Sequence, residues 1–208
     1  MGSGSTGHER SCLNGAVGKG EATRGAILDE AGRLARRVGL CGLTIGSLAT
    51  QSGMSKSGLF AHFGSKESLQ LQVLEHSRDR FVDEVIRPAL KAPRGEPRVR
   101  DLFERWLAWD SVEGGCPLVA ASFELDDQPG PVRENLVRVQ RDWADTLATV
   151  FTSGIGEGHF RADADPSQFA QDLMGVLLSY HLASRLLADP QAADRARRAL
   201  DALLAAAA

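Results

Sequence analysis

Between Thr44 and Lys66 the chain gathers short polar and cationic side chains: Thr44, Ser55, Lys56, Ser57, His62 and Lys66. Hydroxyls, ammonium groups and an imidazole all donate hydrogen bonds, so together they can hold phosphate oxygens and base edges. Ser55 suits the N-cap of a helix that starts at Lys56. Thr44 and Lys66 stand at two other helix starts, where backbone N–H groups favour anions. Gly58 falls inside the short helix, where glycine costs about 1 kcal/mol relative to alanine. Such a cost is expected where something must approach the backbone closely. No spaced Ser/His/Asp set, metal cluster or phosphate loop accompanies these residues, and the five histidines are scattered. An enzyme is therefore not expected, nor a metal or other cofactor.

The elements that position these groups read as helices. Ile27, Ala31, Leu34, Ala35 and Val38 recur at helical spacing from Thr23 to Val38. Gly39 ends that helix. Two short helices follow across 44–63, with Gly53 supplying a tight turn between them and Ala49 allowing a close crossing. Ile45, Leu48, Leu59 and Phe63 can face a core shared with the preceding helix. Gly64 closes the pair and Ser65 caps a fourth helix, with Glu67 in its first turn. The fourth helix is expected to end near Arg87, because Pro88 disfavours helical geometry before it.

Beyond a Pro/Gly/charge linker at 91–97, Val99, Leu102, Phe103, Trp106, Leu107 and Trp109 mark a further helix broken by Gly114-Gly115. Pro117 opens a short helix to about Glu124. Val132, Leu136, Val139, Trp143, Leu147 and Val150 form the cleanest amphipathic stripe. A loop is expected over 154–166, then a helix after Asp165-Pro166 and a last Ala/Leu-rich helix. No run alternates with strand period. The expected fold is all-α, with about nine helices: an N-terminal three-helix helix-turn-helix domain and a C-terminal helical bundle.

Bulk properties set the frame. The 208 residues are 43% hydrophobic and 25% charged, ordinary for a globular protein. No stretch reaches about 18 consecutive apolar residues, so no membrane span is expected, and a signal peptide is not apparent; a cytoplasmic location follows. Three widely spaced cysteines, Cys12, Cys41 and Cys116, suggest reduced thiols rather than a disulfide framework or zinc site. Between Glu21 and Ser68 six Lys/Arg oppose four Asp/Glu, leaving a mildly basic head on an acidic remainder within a net charge of −3. Residues 1–21 are Gly/Ser/Thr-rich and are expected to form a disordered arm. By spacing alone the pair at 44–63 also fits an ordinary helical hairpin. In that case Gly58 is a packing residue, His62 a surface residue and Lys56 a solvated charge.

The run Thr44 to Phe63, followed by Gly64-Ser65-Lys66-Glu67-Ser68-Leu69, resembles the DNA-binding domain of TetR-type transcriptional regulators. The resemblance spans about Thr23 to Leu74. It implies a DNA-binding domain at 22–68 and a ligand-binding and dimerisation domain at 69–208. It implies a homodimer that reads double-stranded operator DNA, with a small-molecule inducer of unknown identity. Thr44, Ser55, Lys56, Ser57, Gly58, His62 and Lys66 match positions that commonly contact DNA in that family. Where the family usually has tyrosine this chain has Phe60, which lacks the hydroxyl for a phosphate. Phe60 is then a structural residue or an apolar contact to a thymine methyl.

The loop Gly156 to Pro166 and the helix after it also resemble the family's C-terminal half. The last two helices, with Ala170, Gly175, Ala183, Ala196 and Ala199, are the expected dimer interface; closing a monomeric bundle is the alternative. A ligand cavity is expected to draw on Phe103, Trp106, Trp109, Phe123, Trp143, Met174, Tyr180 and His181. Cys116, just before a helix start, belongs with them. A helix N-terminus can lower a thiol pKa, so an electrophile- or redox-sensing regulator is an alternative to a repressor released by an inducer. A helical protein-binding adaptor without DNA activity is the other alternative.

Overall fold

The computed structural model describes residues 9–208, with side chains from Thr23 onward. Among the described residues the chain forms nine helices and no strand. α1 is Glu9–Val38, α2 Ile45–Ser52 and α3 Lys56–Phe63. Lys66–Phe81 continues through a π-helical turn, Val82–Ile86, into Arg87–Ala89, and this single rod of residues 66–89 is α4. α5 is Glu96–Asp110, α6 Pro117–Leu125, α7 Pro131–Gly156, α8 Pro166–Arg185 and α9 Ala192–Ala207.

Capping chemistry sets the first boundaries. Thr44, Ser55 and Ser65 cap α2, α3 and α4, their hydroxyls accepting from the N–H of Ser47, Gly58 and Ser68. Gly53 and Gly64 end α2 and α3 with φ of 69° and 71°, a region that favours glycine. Ile27, Ala31 and Leu34 of α1 share one buried core with Leu48, Leu59, Phe63 and Leu69. That core continues into the body, where α7 against α8 and α8 against α9 are the most extensive helix packings.

Three expectations change. Residues 1–8 of the expected arm lie outside the described residues, but α1 begins at Glu9, so 9–21 continue the first helix. That stretch contains no proline, and helix extends readily from a packed segment.

α4 does not end before Pro88. The N–H of Arg87 bonds to Val82 O, a five-residue step. This wider turn relieves the clash between a proline ring and the carbonyl four residues earlier. Gly154 does not start a loop, because α7 runs to Gly156. A Cβ on Gly154 would lie 2.4 Å from the Phe160 ring, so this glycine makes room for packing inside a helix. Phe160 in turn stacks on Phe151 at 4.4 Å, and Phe151 on Phe169 at 4.1 Å, locking α7 to α8.

Candidate nucleic-acid interface and its linked cavity

α3 is too short to be stable alone and is held by two anchors, Leu59 and Phe63, both buried. With these turned inward, Lys56, Ser57, Phe60, Ala61 and His62 are exposed. Phe60 is 59% exposed, a large apolar ring left in solvent on the same short helix as Lys56, Ser57 and His62. The Ser55 and Ser57 hydroxyls lie 3.3 Å apart at the helix start.

The Ser55 hydroxyl also accepts the Gly58 N–H at 3.1 Å. A Cβ on Gly58 would sit 3.0 Å from that oxygen and within 4 Å of nothing else. Glycine here therefore leaves room for the cap on one side and presents open backbone on the other.

The N-terminus of α2 adjoins the same face. Thr44 and Ser47 form a reciprocal capping box, the Ser47 N–H reaching Thr44 Oγ1 and the Thr44 N–H reaching Ser47 Oγ, each at 2.9 Å. Ile45 and Gly46 N–H groups stay without intrahelical partners. The Lys56 stem runs past them, its Cε 3.9 Å from where a Gly46 Cβ would be. Thr44, Lys56 and a helix dipole so converge on one positive spot.

Lys66 is placed differently. Its ammonium donates to Cys41 O at 2.6 Å, while Gln70 Nε2 donates to Leu40 O at 2.7 Å. Lys66 is exposed and stands beside the α1–α2 loop rather than on α3.

The same loop is gripped from the body. Glu124 of α6 accepts the N–H of Leu40 at 3.0 Å and of Cys41 at 2.7 Å. A Cβ on Gly39, at φ 79°, would come within 2.8 Å of that carboxylate. A second tie joins α1 to the turn before α6. Arg36 donates to Gly115 O and lies 4.9 Å over the Trp109 ring. Gly114 and Gly115 both have positive φ, and a Cβ on either would strike Arg36 or Arg185.

A cavity of about 140 Å³ opens among α4 to α8. Phe81, Val82 and Ile86, at and beside the π turn of α4, form one wall. Trp106, Trp143, Met174 and Cys116, four of the expected lining residues, form others. The remaining expected residues are elsewhere. Phe103 is in the core, and Trp109 packs edge-on against Phe81 at 5.7 Å on the side of Arg36. Tyr180 packs edge-on against Trp106 at 6.1 Å. Phe123 is on the surface at 66% exposure. His181 Nδ1 meets the fully buried carboxylate of Asp110 at 2.7 Å. The sequence pattern singles out neither the α4 wall nor Gln140. Gln140 adjoins the apolar stripe of α7 between Val139 and Trp143, and that position is its only sequence signal.

Cys116 is 2% exposed at the N-cap of α6. Burial pushes its thiol pKa up, outweighing the N–H groups of Leu118 and Val119 and the Trp109 indole, which act in the opposite direction. The thiol is thus kept protonated, the reverse of what a reactive sensor needs.

An exposed recognition-type helix, braced by two others and tied to a larger helical body with its own cavity, is the arrangement of a helix-turn-helix domain followed by a helical domain. The family model "Bacterial regulatory proteins, tetR family" matches residues 27–73, and "Tetracyclin repressor-like, C-terminal domain" matches residues 95–200. The chain belongs to the tetR family of bacterial regulatory proteins and is a DNA-binding transcriptional regulator. A TetR transcriptional regulator from Chloroflexus aurantiacus J-10-FL has a similar structure at 22% identity, covering 90% of this chain and 94% of that one, with a TM-score of 0.79. A TetR-family regulator from Cytophaga hutchinsonii is similar at 19% identity over 91% and 96% of the two chains, TM-score 0.79. AibR, solved in complex with isovaleryl coenzyme A and operator DNA, is similar at 22% identity over 75% and 84%, TM-score 0.63. No curated protein matches the sequence. No helix among the described residues is long and apolar enough to cross a membrane.

Proposed function

We propose that the protein is a cytoplasmic repressor that binds operator DNA as a homodimer and is released by a small molecule entering the cavity. In this reading residues 22–68 are the DNA-binding domain and 69–208 the ligand-binding and dimerisation domain. Ser57, Phe60 and His62 face base edges, while Thr44, Ser55, Lys56 and Lys66 take phosphates and Gly58 lets the backbone approach.

The observation that carries the release step is α4. One rod begins at Lys66, beside the loop that precedes α2, and reaches the cavity wall with Phe81, Val82 and Ile86. A ligand that displaces the wall tilts the rod, and Lys66 and Gln70 carry the displacement to the α1–α2 loop. α6 adds a second route, since it supplies Leu118 and Val119 to the cavity and Glu124 to the same loop.

Dimerisation is supported by an apolar stripe that runs along the last turns of α8 to its C-cap, Leu186. Leu178, Leu182 and Leu186 follow at four-residue steps and stay exposed, as does Phe123 beside them. Exposed apolar side chains in such a row mark an association surface. Two recognition helices about 34 Å apart then meet successive major grooves.

The test is a double substitution, Leu182→Glu with Leu186→Glu, read by light scattering and operator binding. A monomer with little operator affinity is expected. A variant that remains dimeric and binds normally contradicts the proposed interface.

A further inference from the structure

The cavity restricts what it can hold. At about 140 Å³ it matches apolar cavities that accept one benzene ring. Sites for drug-sized ligands are roughly 300–1,000 Å³. Its walls present aromatic groups at right angles: Phe81 lies edge-on to Trp143 with centroids 5.0 Å apart, and Trp106 lines the same space. Edge and face surfaces together suit a flat ring.

Charge is confined to the rim. Arg78 and Asp142 are the charged lining residues, of opposite sign, and both are exposed. Arg78 is already committed to Asp79, its Nε and Nη2 lying 3.0 and 2.6 Å from one carboxylate oxygen. An ionised ligand would be buried inside without a counter-ion, which is strongly unfavourable.

Gln140 supplies the specific polar group. Its amide nitrogen donates to Leu118 O at 3.1 Å and to Ser122 Oγ at 2.9 Å. Both N–H groups are used, which orients the amide and leaves Oε1 as an acceptor for a ligand. The Thr146 hydroxyl, also in the lining, donates to the Asp142 backbone carbonyl at 2.7 Å.

We propose that the cavity takes a neutral single-ring aromatic molecule with one hydrogen-bond donor, of the phenol type. The ring lies among Phe81, Trp106 and Trp143, and the hydroxyl donates to Gln140 Oε1. This identification of the ligand class rests on reading the cavity as the inducer site. Arg78 is the one cationic side chain of the lining, so the phosphates of an acyl coenzyme A find no cationic cluster there.

The test measures binding of p-cresol, toluene, benzoate and isovaleryl coenzyme A to the full chain by calorimetry and tryptophan fluorescence, with operator release measured in parallel. p-Cresol is expected to bind about fivefold more tightly than toluene, the value of one net hydrogen bond. Benzoate is expected to bind at least about tenfold more weakly than p-cresol, for want of a counter-ion. Val139→Trp fills the space and should abolish ring binding. Gln140→Leu should keep toluene binding and erase the preference for p-cresol, which keeps the test decisive if Val139→Trp fails to fold.

Benzoate or isovaleryl coenzyme A binding as tightly as p-cresol overturns the proposal. So does a p-cresol preference that survives Gln140→Leu, or no ring binding at all. If p-cresol binds but leaves the operator complex intact, the ligand class stands and the inducer reading fails. If another class of compound releases the operator and no ring compound binds, the inducer reading stands and the ligand class fails.

Discussion

Gly58→Ala separates stability from DNA approach in the first turn of α3. The added methyl meets Ser55 Oγ at 3.0 Å and nothing else within 4 Å, so the serine must yield by a few tenths of an ångström. Gly58 has no positive φ to lose, and alanine gains about 1 kcal/mol of helix propensity over glycine. Loss of the Ser55 cap opposes this by about 1 kcal/mol. The two contributions nearly cancel, so urea unfolding should shift by less than about 1 kcal/mol in either direction. DNA binding has no such compensation. A methyl forced into a closely packed interface costs about 1–3 kcal/mol, which lowers operator affinity at least about fivefold. Fluorescence anisotropy and urea unfolding on the same preparation give both numbers. A variant with unchanged stability and unchanged operator affinity refutes the close approach, and the glycine is then explained by the serine cap alone.

Lys66→Ala should weaken binding to all DNA sequences alike, whereas Ser57→Ala should alter sequence preference; equal losses on every sequence would reverse that division. Glu124→Ala removes two hydrogen bonds from a half-buried carboxylate, so unfolding should cost about 1–2 kcal/mol less. It should also shrink the difference in operator affinity with and without inducer, and an unchanged difference would show that α6 is not a coupling route. Cys116, in a chain with Cys12 and Cys41 replaced by serine, should alkylate more slowly at neutral pH than in urea. Its raised thiol pKa also sets a sign for stability. The contribution is fully present below the ordinary thiol range of about 8.5 and is lost as pH rises through the folded value. Replacing Cys116 by alanine should therefore flatten the alkaline decline in unfolding free energy, and an identical decline would contradict the assignment.

The head is legible in the sequence because its signals are local. Thr44, Ser55 and Ser65 act on backbone groups three residues away, and Gly39, Gly53 and Gly64 satisfy a backbone conformation that few other residues adopt. The cavity is not legible in the same way. Phe103 and Trp106 lie on one helix three positions apart, yet one fills the core and the other lines a space. That outcome depends on which gap between helices remains unfilled, which no periodicity records. Phe123 is apolar and so reads as interior, but it points outward beside the leucine stripe of α8. The π turn of α4 has one hint, Pro88. A proline signals that a helix must adapt and does not say whether it ends or widens.

The salt dependence of specific DNA binding tests the central claim most directly. The full chain should retain a fragment from upstream of its own gene against excess competitor DNA. Its affinity should fall linearly on a log–log plot with salt, and Lys66→Ala, which takes away one phosphate partner, should make that slope shallower by about one. Binding that does not respond to salt, or no specific binding to any genomic fragment, would contradict the account.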